Sequence, residues 1–248
     1  MRAFKPIVKP NLPANKVKHV VISPEFNSLT LSLQKCDVEP LFVSPCSDVI
    51  NQVSNHTDLL FSYLGNGCYM VEKSQCLLDS ALISLGFKSE NRKVSLLPNY
   101  PNDVLLNTCI LKDKIIGGTA VKEFWSNDKR EYVSVKQGYT KCSVCVVDEH
   151  SLITDDLSIF DACQAFDIDA LLVSKGNVKL NGFDYGFIGG CSGKISRDTI
   201  AFYGDIRTHS DYSQIKSFLA YRGVFEHSLC SGNLIDVGSI IPITEYCE

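Results

Sequence analysis

The chain has 248 residues, 45% of them hydrophobic, and a formal net charge of -4. This length allows a large buried core, and we predict a single domain over 1–248. Lysine and arginine are scattered singly, so the sequence predicts no basic face for nucleic acid or for an anionic membrane surface.

The N-terminus, the apolar runs and the cysteines argue against a secreted, a membrane-spanning or a disulfide-linked protein. Prolines interrupt the basic start of the chain, and the apolar runs are far shorter than the about 20 residues of a membrane-spanning helix. The eleven cysteines are odd in number and mostly lie in apolar patterns, where thiols act as small hydrophobic side chains. We therefore predict a soluble, cytoplasmic protein with reduced cysteines.

The predicted elements begin with a strand at 16–22, a helix opened by Ser23 and Pro24, and a strand at 39–44. A complete unit then follows. It has strands at 56–64 and 68–72 joined by the turn Gly65-Asn66-Gly67, a helix at 75–85 and a strand at 94–99. Asn-Gly between apolar runs is a strong hairpin signal.

The same order of strand, strand, helix and strand recurs further along the chain, which predicts a repeat architecture. The second unit has strands at 103–110, 114–118 and 130–136, with a helix opening at Thr119. The third has strands at 142–148, 151–154 and 170–174, with a helix at 155–166 capped by Thr154. The fourth has strands at 183–190, 198–204 and 224–229, with a helix at 211–222 capped by Ser210.

The tail at 234–243 supplies the first strand of a fifth unit, whose other elements come from the head of the chain. Pairing head with tail in one unit closes a ring of five ββαβ blades without an open end. The alternative is an ordinary doubly wound α/β sheet, which does not explain the two strands before each helix.

Aligning the units on their first strands superposes Asp58, Asp103, Cys142, Asp184 and Asp236. In a ring of blades these positions meet near the axis, so carboxylates converge on a central channel. One interpretation is a pocket for a guanidinium or ammonium group, which carboxylates bind through paired hydrogen bonds. The other is that each aspartate accepts backbone N–H bonds and only fixes its own blade.

The sequence resembles the guanidine-modifying enzyme (pentein) superfamily, which includes arginine deiminases and dimethylargininases, and is most similar to a bacterial family of unknown function with that fold. The best local match is 102–118, and it implies Asp103 as the counterpart of the acid that binds the substrate guanidinium. Asn102, next to it, is a further candidate ligand contact. The resemblance implies an α/β fold of the pentein type, a five-bladed ββαβ propeller closed by pairing of N- and C-terminal segments.

The active enzymes of that superfamily carry a His-x-Asp motif in the third unit and a nucleophilic cysteine near the C-terminus. The corresponding residues here are Thr140-Lys141-Cys142 and Pro242, so the resemblance implies that the usual dyad is missing. A His-x-Asp is present at His56 and Asp58, in the first unit. Cys142 stands beside Lys141, a neighbour that is predicted to lower its pKa.

Three functions remain open, and the sequence favours the first of them. The first is binding of a small cationic ligand, with Asp58, Asn102, Asp103, Lys141, Asp184 and Asp236 as candidate contacts. The second is hydrolysis of a C–N bond by a relocated centre, with Cys142 as nucleophile and His56 as base. The third is a scaffold with a vestigial channel. The sequence predicts no cofactor and does not indicate the oligomeric state.

Two further motifs resemble functional sites but are not predicted to form them. Cys142 and Cys145 form a CxxC, but on a strand they face opposite sides and no second pair or nearby histidine completes a metal set, so no metal site is predicted. The glycine-rich string 189–194 lacks the Ser or Thr of a phosphate loop and predicts a hairpin turn instead.

Overall fold

The computed structural model describes residues 2–247, and the side chains of all of these except 89–92. Five of its sheets share one topology, in which two antiparallel strands are followed by a helical segment and a third strand parallel to the second. The predicted order of elements within each unit is therefore present in the structure.

The strands are β1 (Phe4–Pro6), β2 (Val17–Ile22), β3 (Glu39–Phe42), β4 (Phe61–Gly65), β5 (Cys68–Glu72), β6 (Lys88–Val94), β7 (Cys109–Leu111), β8 (Lys114–Gly118), β9 (Glu131–Val135), β10 (Val144–Asp148), β11 (Ser151–Thr154), β12 (Asp169–Leu172), β13 (Val178–Lys179), β14 (Ser192–Ser196), β15 (Thr199–Phe202), β16 (Phe225–Ser228), β17 (Leu234–Ile235) and β18 (Ile241–Tyr246). The α-helices are α1 (Asn27–Lys35), α2 (Thr57–Leu60), α3 (Cys76–Ser84), α4 (Leu157–Ala165) and α5 (Tyr212–Tyr221). Short 3₁₀ helices span Asn51–Val53, Thr119–Val121, Glu123–Trp125 and Ile206–Thr208.

The two ends of the chain meet in one sheet. β18 lies between β1 and β2 and pairs antiparallel with both, and β3 completes the sheet beside β2. The first strands of neighbouring sheets also touch in succession, since β10 contacts β14, β14 contacts β18, and β18 contacts β4. The predicted pairing of head and tail is thus observed, and it brings the tail next to the first complete unit.

The first strands begin later in the sequence than predicted. The predicted strand at 183–190 is wrong, because these residues form loops and turns and the strand is β14. Likewise, 103–108 is a turn region that precedes β7. The physical reason is that these segments bond to one another across units: the Gly190 N–H donates to the Cys142 carbonyl, and the Asp58 N–H donates to the Gly238 carbonyl.

The helix termini also differ from prediction. Thr154 does not cap α4; Asp156 does, because its carboxylate accepts the N–H groups of Ser158 and Ile159. Ser210 does not cap α5, which begins after Asp211 without a side-chain cap. The helix predicted from Thr119 is two consecutive 3₁₀ turns.

The cysteines fit the predicted role of small hydrophobic side chains. Six of them are buried, and Cys109, Cys145, Cys163 and Cys191 belong to the apolar clusters between sheets and helices. Over residues 2–247, none of the helices has the length and apolar character needed to cross a membrane.

Candidate functional site

Four buried side chains from four different units form a hydrogen-bonded cluster, which we call the inner ring: Asp58, Asn107, Cys142 and Ser239. The Asn107 Nδ2 donates to Asp58 Oδ1 at 3.1 Å and to Cys142 Sγ at 3.2 Å. The Ser239 hydroxyl donates to Asp58 Oδ2 at 2.6 Å. All four residues are at most 3% exposed. Both Asp58 oxygens are therefore satisfied by side-chain donors from other units.

The members of the inner ring occupy matching places in their units. Asp58 lies in α2, three residues before β4, while Asn107, Cys142 and Ser239 each lie two residues before β7, β10 and β18. Ser239 has a backbone φ of 70°, a left-handed conformation that is uncommon for a residue with a side chain. The segments before the first strands therefore carry the site, and the strands themselves hold these segments in place.

Asn107 and Lys141 join the segments before β7 and β10. The Asn107 Oδ1 accepts the backbone N–H groups of Lys141 at 2.8 Å and of Cys142 at 3.3 Å. The Lys141 Nζ donates to Ser239 Oγ at 3.2 Å. Lys141 lines a small void of about 10 Å³, whereas Cys142 does not line it. Lys141 is thus a structural link between units.

Asp236 is the second buried carboxylate of the site and lies against the backbone of Gly190 and Gly238. Its oxygens accept the N–H groups of Gly238 and Phe187, each at 3.0 Å. A Cβ atom on Gly190 would lie 2.1 Å from Asp236 Oδ1, so no other residue fits there without displacing the carboxylate. Burial raises the pKa of Asp236, and the neighbouring Asp58 charge adds to this effect.

His56 completes a group with Asp58 and Cys142. One ligand atom from each of these three residues lies within 4.8 Å of the others, and His56 Nδ1 lies 3.8 Å from Asp236 Oδ1. Imidazole, thiolate and carboxylate can hold Zn²⁺, and the same trio can serve in nucleophilic catalysis. However, burial and the charges of Asp58 and Asp236 raise the pKa of the Cys142 thiol well above its usual value. The prediction of a lowered pKa at Cys142 is wrong, because burial and the two acids outweigh any effect of Lys141.

A cavity of about 290 Å³ opens beside Cys142, His56 and Asp236. Its wall is mainly apolar and aromatic, and the remaining lining residues are Val53, Leu59, Tyr139, Leu180, Phe183, Asp184, Tyr185 and Phe187. Among the lining residues within 2–247 there is no lysine or arginine. A mainly apolar cavity with a few converging polar groups is typical of a small-molecule site.

The structure separates the six predicted ligand contacts. Asp58 and Asp236 lie in the inner site, and Asp184 is an exposed residue at the rim of the cavity. Asp103 lies behind the cavity wall, where it accepts a hydrogen bond from Tyr139 at 2.9 Å. Asn102 is exposed in a turn, where its carbonyl accepts the Leu97 N–H, and it does not line the cavity.

Sequence reasoning missed Asn107, Ser239 and Asp155. Asp155 directly follows β11 and is 4% exposed, and its Oδ2 accepts the Ile188 N–H at 3.2 Å. Its Oδ1 is buried and has no hydrogen-bond partner in the described part of the chain. Burial raises the pKa of Asp155 to about 7, so this acid titrates near neutral pH.

Three solved structures share this architecture. A mutant DDAH from Pseudomonas aeruginosa complexed with citrulline is 8% identical, with 94% of this chain and 100% of that chain covered and a TM-score of 0.55. An amidinotransferase from Microseira wollei in the saxitoxin biosynthetic pathway is 7% identical, with 93% and 91% covered and a TM-score of 0.52. An inosamine-phosphate amidinotransferase from Streptomyces griseus is 9% identical, with 94% and 97% covered and a TM-score of 0.51.

These neighbours have the pentein fold, so the mixed α/β fold implied by the resemblance is confirmed. Sequence identities below 10% indicate a shared fold but do not indicate a shared activity. A comparison with curated proteins finds no match. The sequence model of one family matches residues 21–241, which is most of the chain. The protein therefore belongs to the Family of unknown function (DUF6873).

Proposed function

We propose that the five sheets are the blades of a pentein-type propeller and that the cavity at its centre binds a small organic cation, such as a guanidino or amino-acid-like molecule. One observation carries the proposal: a buried carboxylate, Asp236, lies on the wall of a mainly apolar and aromatic cavity that has no lysine or arginine among its described lining residues. Apart from His56, no basic side chain of the described lining faces Asp236, and a ligand cation supplies a permanent positive charge there.

The chemistry of the wall suits an organic cation. Tyr139, Phe183, Tyr185 and Phe187 present aromatic rings, whose faces attract cations. Each Asp236 oxygen already accepts one backbone N–H, but a carboxylate oxygen has two lone pairs, so both can accept from a guanidinium. A volume of about 290 Å³ matches a ligand of amino-acid size.

The test is ligand-dependent thermal unfolding of the full chain with arginine, agmatine and methylated arginines, and with citrulline as the matched neutral ligand. A cation at 100 times its dissociation constant is expected to stabilise the protein by ~2.7 kcal/mol, and citrulline much less. Asp236→Asn should abolish the difference. Asp161→Asn, which makes the same charge change at an exposed position of α4, should leave it intact. Equal stabilisation by cationic and neutral ligands would overturn the proposal.

Hydrolysis of a C–N bond is a second candidate, because His56, Asp58 and Cys142 lie within 4.8 Å of one another. In this scheme His56 takes the thiol proton and Cys142 attacks the guanidinium carbon. The C–N bond then breaks as His56 returns the proton to the departing amine, and water cleaves the C–S bond to release the product and restore the thiol. The raised pKa of the Cys142 thiol opposes the attack at neutral pH. Release of ammonia or urea from the same ligands, lost in Cys142→Ser, would establish the enzyme, whereas stabilisation without turnover supports binding alone.

A further inference from the structure

A second group of side chains with the atom types of metal ligands lies in the segment after β3 and at the end of β5. It consists of Cys46, Asp48 and Glu72, whose ligand atoms lie within 4.8 Å of one another. We propose that this group, here called the Cys46 cluster, is a Zn²⁺ site. The proposal is independent of the function of the central cavity.

The first argument is an unsatisfied buried carboxylate. Glu72 is 1% exposed, and its Oε2 accepts the N–H of Ser74 at 2.8 Å as well as the Ser74 hydroxyl. Its Oε1 is buried without any hydrogen-bond partner among residues 2–247. A buried carboxylate oxygen without a donor is costly, and a bound cation removes that cost.

The second argument is the combination of ligand types. Cys46 contributes a sulfur atom at a residue only 3% exposed, next to two carboxylates. Thiolate together with carboxylate oxygen suits Zn²⁺, whereas Ca²⁺ and Mg²⁺ prefer oxygen ligands alone. Three protein ligands leave a fourth tetrahedral position for water.

The third argument is that the cluster is held in place on one side and open on the other. The Gln75 side chain, just before α3, bonds to both the N–H and the carbonyl of Ser44. The Cys46 N–H donates to the carbonyl of Ser54, just after the 3₁₀ helix Asn51–Val53, so the segment is fixed at two places. The side chain of Asp48 is 37% exposed and pairs only with Lys73, at 3.3 Å, within the described chain. Asp48 can therefore close over an ion that arrives from solvent.

Zinc is bound by the thiolate form of cysteine, so binding at the Cys46 cluster displaces the Cys46 proton to solvent.

The experiment uses the full chain, stripped with a chelator and titrated with Zn²⁺ by calorimetry. Co²⁺ in place of Zn²⁺ should give a thiolate-to-metal absorption band. Cys46→Ser and Glu72→Gln should weaken Zn²⁺ binding by about 100-fold or more, since even losing an outer partner of a ligand typically costs 10–100-fold. Cys142→Ser tests the competing group at the cavity, and Cys76→Ser tests an exposed cysteine nearby; both should retain the site.

Stability measurements separate loss of the site from loss of the fold. Without metal, Glu72→Gln is expected to be at least as stable as the wild type, because a neutral amide replaces a buried carboxylate whose Oε1 has no partner among the described residues. With saturating Zn²⁺ the order should reverse, since the metal stabilises the wild type alone. Absence of Zn²⁺ binding in the wild type, or a Co²⁺ band lost in Cys142→Ser and kept in Cys46→Ser, would overturn the proposal.

Discussion

Asp58 and Asp155 are both buried acids close enough to Asp236 to repel its charge, yet their surroundings differ. Asp58 accepts side-chain hydrogen bonds at both oxygens, from Asn107 and Ser239. Asp155 accepts one backbone N–H at Oδ2, and its Oδ1 has no partner in the described residues. The comparison teaches that burial alone does not give a carboxylate its role. The hydrogen bonds of Asp58 connect units, whereas burial raises the pKa of the half-bonded Asp155.

The largest effect is expected from Asp58→Ala. This substitution leaves the Asn107 amide and the Ser239 hydroxyl without their acceptor and opens a small void at the junction of three units. We expect the free energy of unfolding to fall by ~3–5 kcal/mol, as for other broken buried charged networks. Urea unfolding followed by circular dichroism measures it.

Asp161→Ala, at an exposed position of α4, serves as the control and should change the unfolding free energy by less than ~0.5 kcal/mol. If the two variants unfolded at similar urea concentrations, the inner ring would not be a structural link and the contrast with Asp155 would disappear.

A smaller and pH-dependent effect is expected from Asp155→Asn. The pKa of Asp155 is about 7 in the folded state against an ordinary value of 3.8, so the folded protein binds this proton more tightly than the unfolded chain. The corresponding stability is fully present below about pH 4 and is lost as the pH rises towards 7, by at most ~1.4 kcal/mol per pH unit. The amide stays neutral and removes this loss.

Urea unfolding at about pH 5 and about pH 8 checks the sign, with the variant gaining on the wild type at the higher pH. Burial lowers the pKa of His19 and of His209, which affects stability in the opposite direction as the pH falls. Because both histidines are present in both proteins, the difference between the two curves isolates Asp155. Parallel curves would contradict the prediction.

The order of elements could be predicted from the sequence because hairpin turns and helix periods are local signals. The turn at Gly65-Asn66-Gly67 and the helix at 75–85 depend on neighbouring residues alone, and both lie where predicted. The pairing of head and tail was also predictable, since the tail is a strand without a partner in its own unit.

The site was only partly predictable. Asp58, Cys142 and Asp236 were correctly placed near one another, but the predicted alignment put Asp103 where the structure puts Asn107. The strand edges were misjudged because the segments before β7 and β14 contain enough apolar residues to resemble strands. Asn107, Cys142 and Ser239 each lie two residues before an observed strand, so correct strand boundaries would have superposed them. These boundaries could not be predicted because they depend on pairing between residues distant in the sequence.

The smallest effect is expected on the rate at which the Cys142 thiol reacts. This rate should respond to a substitution at Asp236 but not to one at Asp155. Its thiol is 3% exposed and its pKa is raised by burial, then by Asp58 and Asp236. Alkylation at neutral pH should therefore be at least ~10-fold slower than at the exposed Cys76, because the thiolate is the reacting form.

Asp236→Asn removes one repelling charge and should speed labelling of Cys142 a few-fold, whereas Asp155→Asn should not. Peptide mass spectrometry reads both rates, with Cys76 as the internal standard. An equal response to the two substitutions would mean that the Asp236 charge does not act on the thiol, and the inner ring would then be tied to Cys142 through Asn107 and Asp58 alone.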